Sequence, residues 1–196
     1  MGSDKGFLPH PRASQERFVE HLTAVLAPHC SELVLVARDD VQAAHYAQLH
    51  LASVRIVTDA LPDVGPLMGL YSGLRAIQSE HALVTAVDLP LLQSDLLAFL
   101  LAQPLDELIV VPIVADLPQV LLAIYPRRLL PTIEERLREG RRDPRSLLQV
   151  APVRFIEEAQ LRIVDPQLRS FLNVNTPDEL AEVYKLEEQS GESSER

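Results

Sequence analysis

The 196-residue sequence is poor in cysteine, basic residues and long apolar runs, and each shortage excludes a class of protein. Cys30 is its one cysteine, so an internal disulfide and a zinc site built from several cysteines are excluded. Lys and Arg total 18 against 28 Asp and Glu, whereas non-specific nucleic-acid binding needs a basic face. No apolar run is long enough to span a bilayer, and no secretory leader is recognisable. We therefore expect a cytoplasmic protein that binds neither nucleic acid nor membrane.

The remaining composition is that of a globular chain, with 47% hydrophobic and 23% charged residues. The length suggests one domain, since domains most often have roughly 100–150 residues. We place this single domain at residues 1–186. Residues 187–196 are polar, with four glutamates against one arginine, and we expect them to form a disordered acidic tail.

Short apolar runs alternate with helical stripes through the first half of the chain. Apolar residues at helical spacing follow Ser14, run from Leu67 to Ile77, and follow Ser94, and we expect the two serines to cap their helices. This alternation predicts an α/β fold with a mostly parallel sheet and flanking helices. The runs that predict strands are Leu33–Ala37, Val54–Val57 and Ala82–Val87.

The second half is less regular, with three further predicted strands and two longer predicted helices. One helix is expected to end at Gly140 as a left-handed cap, and the other to start at the capping box Thr176–Glu179. The strands predicted here are Leu108–Val114, Gln119–Ile124 and Val153–Ile156.

Two aspartates follow predicted strands, where ligands bind in open α/β sheets. Asp88 ends the run Ala82–Val87, and a single carboxylate together with phosphate oxygens suffices to hold Mg²⁺. The alternative is that Asp88 only caps the turn before Pro90. Asp59 follows Val54–Val57 in the same way, and on its own it is better explained as a turn residue.

Four more residues are candidates for ligand contact, each with a structural alternative. Gly65 opens a helix whose free N–H groups face anions, or it serves only as a loop-to-helix junction. Lys5, in a glycine-flanked loop, either reaches a phosphate or is solvated. Asn173 and Asn175 lie on one face of an extended segment, and they bind either a polar ligand or their own backbone.

Two other features are ambiguous or negative. The segment Arg127–Arg145 has seven arginines against four acidic residues, which suits an anionic partner or a solvated helix face. The six histidines show no metal-ligand spacing, so we predict no histidine metal site.

The order of four motifs resembles that of the molybdenum cofactor guanylyltransferases. This resemblance implies a Rossmann-like nucleotidyltransferase fold and the transfer of GMP from GTP to molybdopterin, with Mg²⁺ as cofactor and pyrophosphate as product. It also implies GTP and molybdopterin as partners of a monomer that makes at most transient contacts with other cofactor-biosynthesis proteins. The motifs are M-G-x-D-K-G (Met1–Gly6), G-P-L-x-G-L (Gly65–Leu70), V-D-L-P (Val87–Pro90) and N-V-N-T-P-D-E-L (Asn173–Leu180).

The resemblance also implies a role for each candidate residue. Lys5 and Asp88 are the implied catalytic residues, because they contact the phosphates and Mg²⁺. The implied sites are Lys5, Asp59, Gly65 and Asp88 for the nucleotide, Asp88 for the metal, and Asn173 and Asn175 for the pterin.

The sequence departs from the family pattern at its start. The family begins with a central strand and the loop L-A-G-G-x-S-x-R-M-G, whereas this sequence begins at the Met-Gly of that motif. We therefore expect that Met1 is not the biological start or that this product is not a competent enzyme, and that two strands, Leu33–Val36 and Ala82–Val87, lack a shared neighbour. Val36 also replaces an asparagine, and Leu117-Pro118 replaces His-Pro. Cytidylyl transfer, other nucleotidyl transfer and an inactive relative that binds pterin or a partner remain alternatives.

Overall fold

The computed structural model describes residues 4–11, 16–49 and 51–193, in which helices and strands alternate except at three consecutive strands in the second half and at the last two helices. The helices are α1 (Phe18–Leu26), α2 (Asp40–Ala47), α3 (Pro66–Ala76), α4 (Ser94–Leu101), α5 (Leu130–Arg138), α6 (Glu158–Val164) and α7 (Pro177–Ser193). The strands are β1 (Leu33–Ala37), β2 (Val54–Thr58), β3 (His81–Thr85), β4 (Ile109–Val114), β5 (Leu117–Pro118), β6 (Leu122–Pro126) and β7 (Val153–Ile156).

The helix ends show where local sequence signals acted. At α7 the Glu179 N–H donates to Thr176 Oγ1 and the Thr176 N–H donates to Glu179 Oε2, so the expected capping box is present. This helix continues to Ser193, through most of the segment expected to be a disordered tail, and residues 194–196 lie outside the described part. Gly140 has the expected left-handed φ, +78°. The cap expected at Ser14 lies outside the described residues. The cap expected at Ser94 is wrong, because α4 begins at Ser94 and its N-cap residue is Gln93.

The expected α/β fold is confirmed, but the sheet is less parallel than predicted. Strand pairs β1–β2 and β4–β7 are parallel, whereas β3–β6, β4–β6 and β4–β5 are antiparallel. The connection after β4 explains part of the difference. Ala115 and Asp116 both have positive φ, which is the geometry of a two-residue hairpin turn, and parallel strands need a much longer crossover.

Strand β4 shows that the larger sheet is buried on both faces. Ile109 and Val111 pack in a cluster with Leu67 and Ile133, which lie on α3 and α5. Val110, between them, packs in a second cluster with residues of α4 and α6. Because successive side chains of a strand point to opposite faces, the sheet lies between two helical layers.

A groove of about 380 Å³ separates β1 from β3. In the described part of the chain, β1 pairs with β2 and β3 pairs with β6, so each presents one strand edge to the groove. Gly69, Gly73 and Leu74 of α3 also line it. Among the described residues, no strand pairs with both β1 and β3. Among the residues described, no helix is both long and apolar enough to cross a membrane.

Candidate active site

A lysine, an aspartate and an asparagine from distant parts of the chain meet beyond the end of β3. Lys5 Nζ donates to Asp88 Oδ2 at 2.9 Å and to Asn175 Oδ1 at 2.5 Å. These partners lie 83 and 170 residues from Lys5 in the sequence. The Lys5 and Asp88 side chains are only 26% and 17% exposed, so solvent screens their ion pair less than a surface pair. The structure thus joins three of the predicted site residues.

A backbone contact fastens the asparagine segment to the aspartate. The Val174 N–H donates to the Asp88 carbonyl oxygen at 3.0 Å. Val174 is fully buried and packs in a cluster with Phe18 and Leu91. Because the extended backbone alternates its side chains, burying Val174 turns Asn173 and Asn175 outward. Asn173 is accordingly exposed, and among the described residues only Asn175 of the two asparagines bonds Lys5.

The loop that carries Lys5, here called the lysine loop, is held by residues that were not selected from the sequence. Asp4 Oδ1 accepts hydrogen bonds from the Gly6 N–H and the Tyr46 hydroxyl, both at 3.0 Å. Asp4 Oδ2 accepts from Gln42 Nε2 at 2.5 Å. Burial, and next the Asp4 carboxylate, raise the pKa of Tyr46, so its hydroxyl remains a donor. The short 3-10 turn Lys5–Phe7 is therefore anchored through Asp4 to Gln42 and Tyr46 of α2.

Asp59 lies in a second group, at the carboxyl end of β2. Its backbone N–H donates to the Ala37 carbonyl oxygen at 2.8 Å. Burial raises the pKa of its carboxyl, and the Ser72 hydroxyl partly offsets that shift. Among the described residues, no hydrogen bond or ion pair joins Asp59 to Lys5 or Asp88. Asp59 is thus at a strand end, as expected, but apart from the lysine cluster.

Gly65 begins α3 in a conformation that favours glycine. Its φ is +108°, and a Cβ placed there would lie 3.3 Å from both Cβ and the carbonyl oxygen of Arg142. That carbonyl accepts the Leu67 N–H at 2.9 Å, so the arginine-rich segment contacts the first turn of α3. Glycine is needed at position 65 for its backbone angle and for this close approach.

The donor set at Asp88 fits a hard divalent cation. Asp88 Oδ1 is buried and has no hydrogen-bond partner among the described residues, while Oδ2 accepts from Lys5. A buried carboxylate oxygen without a donor is an unusual cost that a bound cation would remove. Mg²⁺ prefers such oxygen ligands and commonly uses only one or two carboxylates.

The α/β fold, together with the family model that matches most of the chain, defines it as a nucleotidyltransferase. The model of the MobA-like NTP transferase domain matches residues 1–161, and the chain belongs to that family. The expectations of family and fold class are therefore confirmed.

Individual relatives are similar over nearly their whole length. A probable molybdenum cofactor guanylyltransferase of Methanothermobacter thermautotrophicus is 36% identical over 186 residues, which are 92% of this chain and 90% of that protein. A protein of the same name from Carboxydothermus hydrogenoformans is 32% identical over 96% of this chain and 92% of its own.

Two solved structures share the fold. One is molybdopterin-guanine dinucleotide biosynthesis protein A from Archaeoglobus fulgidus, with a TM-score of 0.81 and 24% identity over 96% of this chain and 92% of that one. The other is 2-C-methyl-D-erythritol 4-phosphate cytidylyltransferase from Thermus thermophilus, with a TM-score of 0.71 and 15% identity over 94% of each chain.

Proposed function

We propose that this chain transfers GMP from GTP to molybdopterin, forming molybdopterin guanine dinucleotide and releasing pyrophosphate. The names of the relatives at 36% and 32% identity support this substrate pair. The observation that carries it is the position of Lys5 Nζ, which bonds both Asp88 and Asn175. In this proposal the Lys5 ammonium group lies between the nucleotide side and the pterin side of the site.

The reaction needs charge neutralisation more than a protein nucleophile. An oxygen of the pterin phosphate forms a bond to the α-phosphorus of GTP, and the α-phosphorus bond to the bridging oxygen breaks. The electron pair of that bond leaves with pyrophosphate. Lys5, a fixed point charge, would offset the negative charge that develops on the phosphates.

Asp88 would hold Mg²⁺ through its Oδ1 atom while its Oδ2 atom keeps Lys5 in place. The bound cation would supply Lewis-acid neutralisation of the phosphate oxygens. Gly65, which precedes α3, and Asp59, which follows β2, would contact the nucleotide. Asn173 and Asn175 would contact the pterin through side-chain amides, each able to donate and accept.

The first experiment replaces Asp88 by Asn in the full chain and measures pyrophosphate release with GTP, molybdopterin and Mg²⁺. We expect at least a hundredfold loss of rate at an almost unchanged melting temperature, because an amide is a poor ligand for a hard cation. Asp116→Asn is the matched control, since it removes an exposed carboxylate in the β4–β5 turn. Full activity of Asp88→Asn would refute the assignment, and CTP in place of GTP tests cytidylyl transfer.

The second experiment separates the two asparagines by calorimetry with GTP and with molybdopterin. Asn173→Ala should weaken molybdopterin binding and leave GTP binding nearly unchanged. Asn175→Ala should reduce both affinities, because Asn175 also holds Lys5. Equal losses of both affinities in Asn173→Ala would show that Asn173 is structural.

A further inference from the structure

The carboxylate of Asp4 adjoins Lys5 in the chain, and the proposed reaction does not use it. Asp4 is the N-cap residue of the 3-10 turn Lys5–Phe7. Its Oδ1 atom accepts the Gly6 N–H at 3.0 Å, a local contact that spans the backbone of Lys5. The backbone conformation at Lys5 therefore depends on the side chain of Asp4.

The same carboxylate joins this turn to helix α2. The Tyr46 hydroxyl donates to Asp4 Oδ1 at 3.0 Å, and Gln42 Nε2 donates to Oδ2 at 2.5 Å. Together with the Gly6 N–H, these donors occupy most of the roughly four acceptor positions that a carboxylate offers. Both oxygens of Asp4 are thus committed to protein donors, which leaves the carboxylate poorly suited to bind a ligand itself.

Both donors on α2 are themselves held in place. Tyr46 is buried and packs in a cluster with Leu35 of β1. Burial, and next the Asp4 carboxylate, raise the pKa of the Tyr46 hydroxyl, so it stays protonated and donates. Gln42 Oε1 accepts the Arg38 N–H at 2.6 Å, which orients the amide so that its nitrogen faces Asp4. Asp4 therefore connects the lysine loop to the packed core.

Lys5 needs a fixed backbone because its side chain is long and flexible. Its ammonium group is a point charge at the end of a flexible stem, so the reach of Nζ depends on where the backbone places Cα. Nζ bonds Asp88 Oδ2 and Asn175 Oδ1 in the described part of the chain. An ammonium group has three donors, so one remains for a phosphate oxygen. The anchored backbone determines the direction in which that donor can reach.

We propose that Asp4 is a positioning residue, which fixes Lys5 for catalysis without contacting substrate. The proposal rests on the transfer reaction proposed above, in which Lys5 offsets charge that develops on the phosphates. Misplacing such a group by about 1 Å can cost on the order of a hundredfold in rate. Loss of Asp4 should therefore lower kcat and leave KM for GTP little changed, because the interaction is strongest in the transition state.

The first test locates Lys5 without measuring activity. The chain has two lysines, Lys5 and the exposed Lys185, so acetylation by acetic anhydride followed by mass spectrometry compares them in one sample. Acetylation needs an accessible free amine, which the two hydrogen bonds of Lys5 hinder. In Asp4→Ala the ratio of the Lys5 rate to the Lys185 rate should rise at least about threefold. Asp143→Ala removes the matching N-cap carboxylate of the 3-10 helix Pro144–Gln149 and should leave the ratio unchanged.

The second test reverses one hydrogen bond of Asp4 and measures steady-state pyrophosphate release. Asp4→Asn keeps an acceptor for Gly6 and Tyr46 but turns a second donor toward the Gln42 amide. Combining Asp4→Asn with Gln42→Glu restores that contact, because the new amide donates to the new carboxylate and the net charge is unchanged. Asp4→Asn should lower kcat at least about tenfold, and the double variant should recover most of this loss.

The melting temperature of each variant shows whether it folds, and Gln42→Ala, which removes one donor, replaces an unfolded Asp4→Ala. An unchanged acetylation ratio in the folded variant would overturn the proposal. So would a double variant that regains the melting temperature but not kcat, because Asp4 would then act through its own charge. Absence of pyrophosphate release by the unmodified chain would refute the proposed function instead, and the acetylation ratio would still report whether Asp4 positions Lys5.

Discussion

Gly6→Ala tests the packing that holds the lysine loop. A Cβ at position 6 would lie 2.6 Å from the Tyr46 hydroxyl oxygen and 3.1 Å from Cε1 of the same ring. The tyrosine cannot easily withdraw, since it is 2% exposed and stacks on Phe7 with centroids 5.0 Å apart. Gly6 does not have a positive φ, so the substitution tests contact and not backbone strain.

The cost follows from the two ways of relieving this contact. If Tyr46 stays in place, the added methyl overpacks the site at a cost of about 1–3 kcal/mol. If Tyr46 moves, its hydrogen bond to the Asp4 carboxylate is lost at a cost of about 1.5–3 kcal/mol. The lower entropy of alanine in the unfolded chain returns about 0.4–1 kcal/mol. The net loss of about 1–2 kcal/mol should lower the melting temperature by about 2–8 °C.

A double-mutant cycle isolates this contact by thermal and urea unfolding. Tyr46→Phe removes the hydroxyl oxygen nearest to the new methyl, so Gly6→Ala should cost less when combined with Tyr46→Phe than in the unmodified chain. Gly73→Ala is the control, because its Cβ would lie 3.4 Å from Val36 Cγ2, close to ordinary contact. The reasoning fails if Gly6→Ala melts like the unmodified chain or if the two changes are additive.

Three further predictions concern other parts of the fold. Burial raises the pKa of the Asp59 carboxyl in the folded chain. Its contribution to folding stability is therefore complete at low pH and is lost as the pH rises through the folded-state pKa. Asp59→Asn should melt higher than the unmodified chain at pH 7, and this difference in melting temperature should vanish toward pH 4. Gly65→Ala should destabilise the chain more than Gly140→Ala, because both have positive φ but only Gly65 also faces Arg142; equal melting temperatures would contradict this. Amide exchange should be faster in β3 than in β4, which is paired on both sides, and uniform protection would count against the groove.

The strands were predictable because apolar runs mark them. Helix α2 was not predicted. The runs at β1, β2 and β7 coincide with observed strands to within one residue. Helix α2 buries Tyr46 alone among its eight residues, so its sequence carries almost no apolar period. Its start was nevertheless signalled by Asp39, whose side chain accepts from the Gln42 N–H at 2.7 Å.

The sequence predicted the identity of candidate site residues but only part of their grouping in space. Motif order selected Lys5, Asp88 and Asn175, and the structure brings these three together. Asp4 and Gln42, which orient the lysine loop, were missed because their role depends on the packing of α2 against that loop. Long-range packing of this kind leaves no periodic signal in the sequence.

The turn that carries Asp88 explains how one carboxylate can serve both a cation and a lysine. Backbone carbonyls fix this turn to neighbouring segments. The Asp88 carbonyl oxygen accepts the Val174 N–H, and the Pro90 carbonyl oxygen lies 2.9 Å from His10 Nε2. Because main-chain groups secure the turn, its conformation depends little on the Asp88 side chain, which contacts Lys5. Its Oδ2 atom is available to Lys5, and its buried Oδ1 atom faces no donor among the described residues. Replacing Asp88 by Asn should therefore remove chemistry without removing the turn.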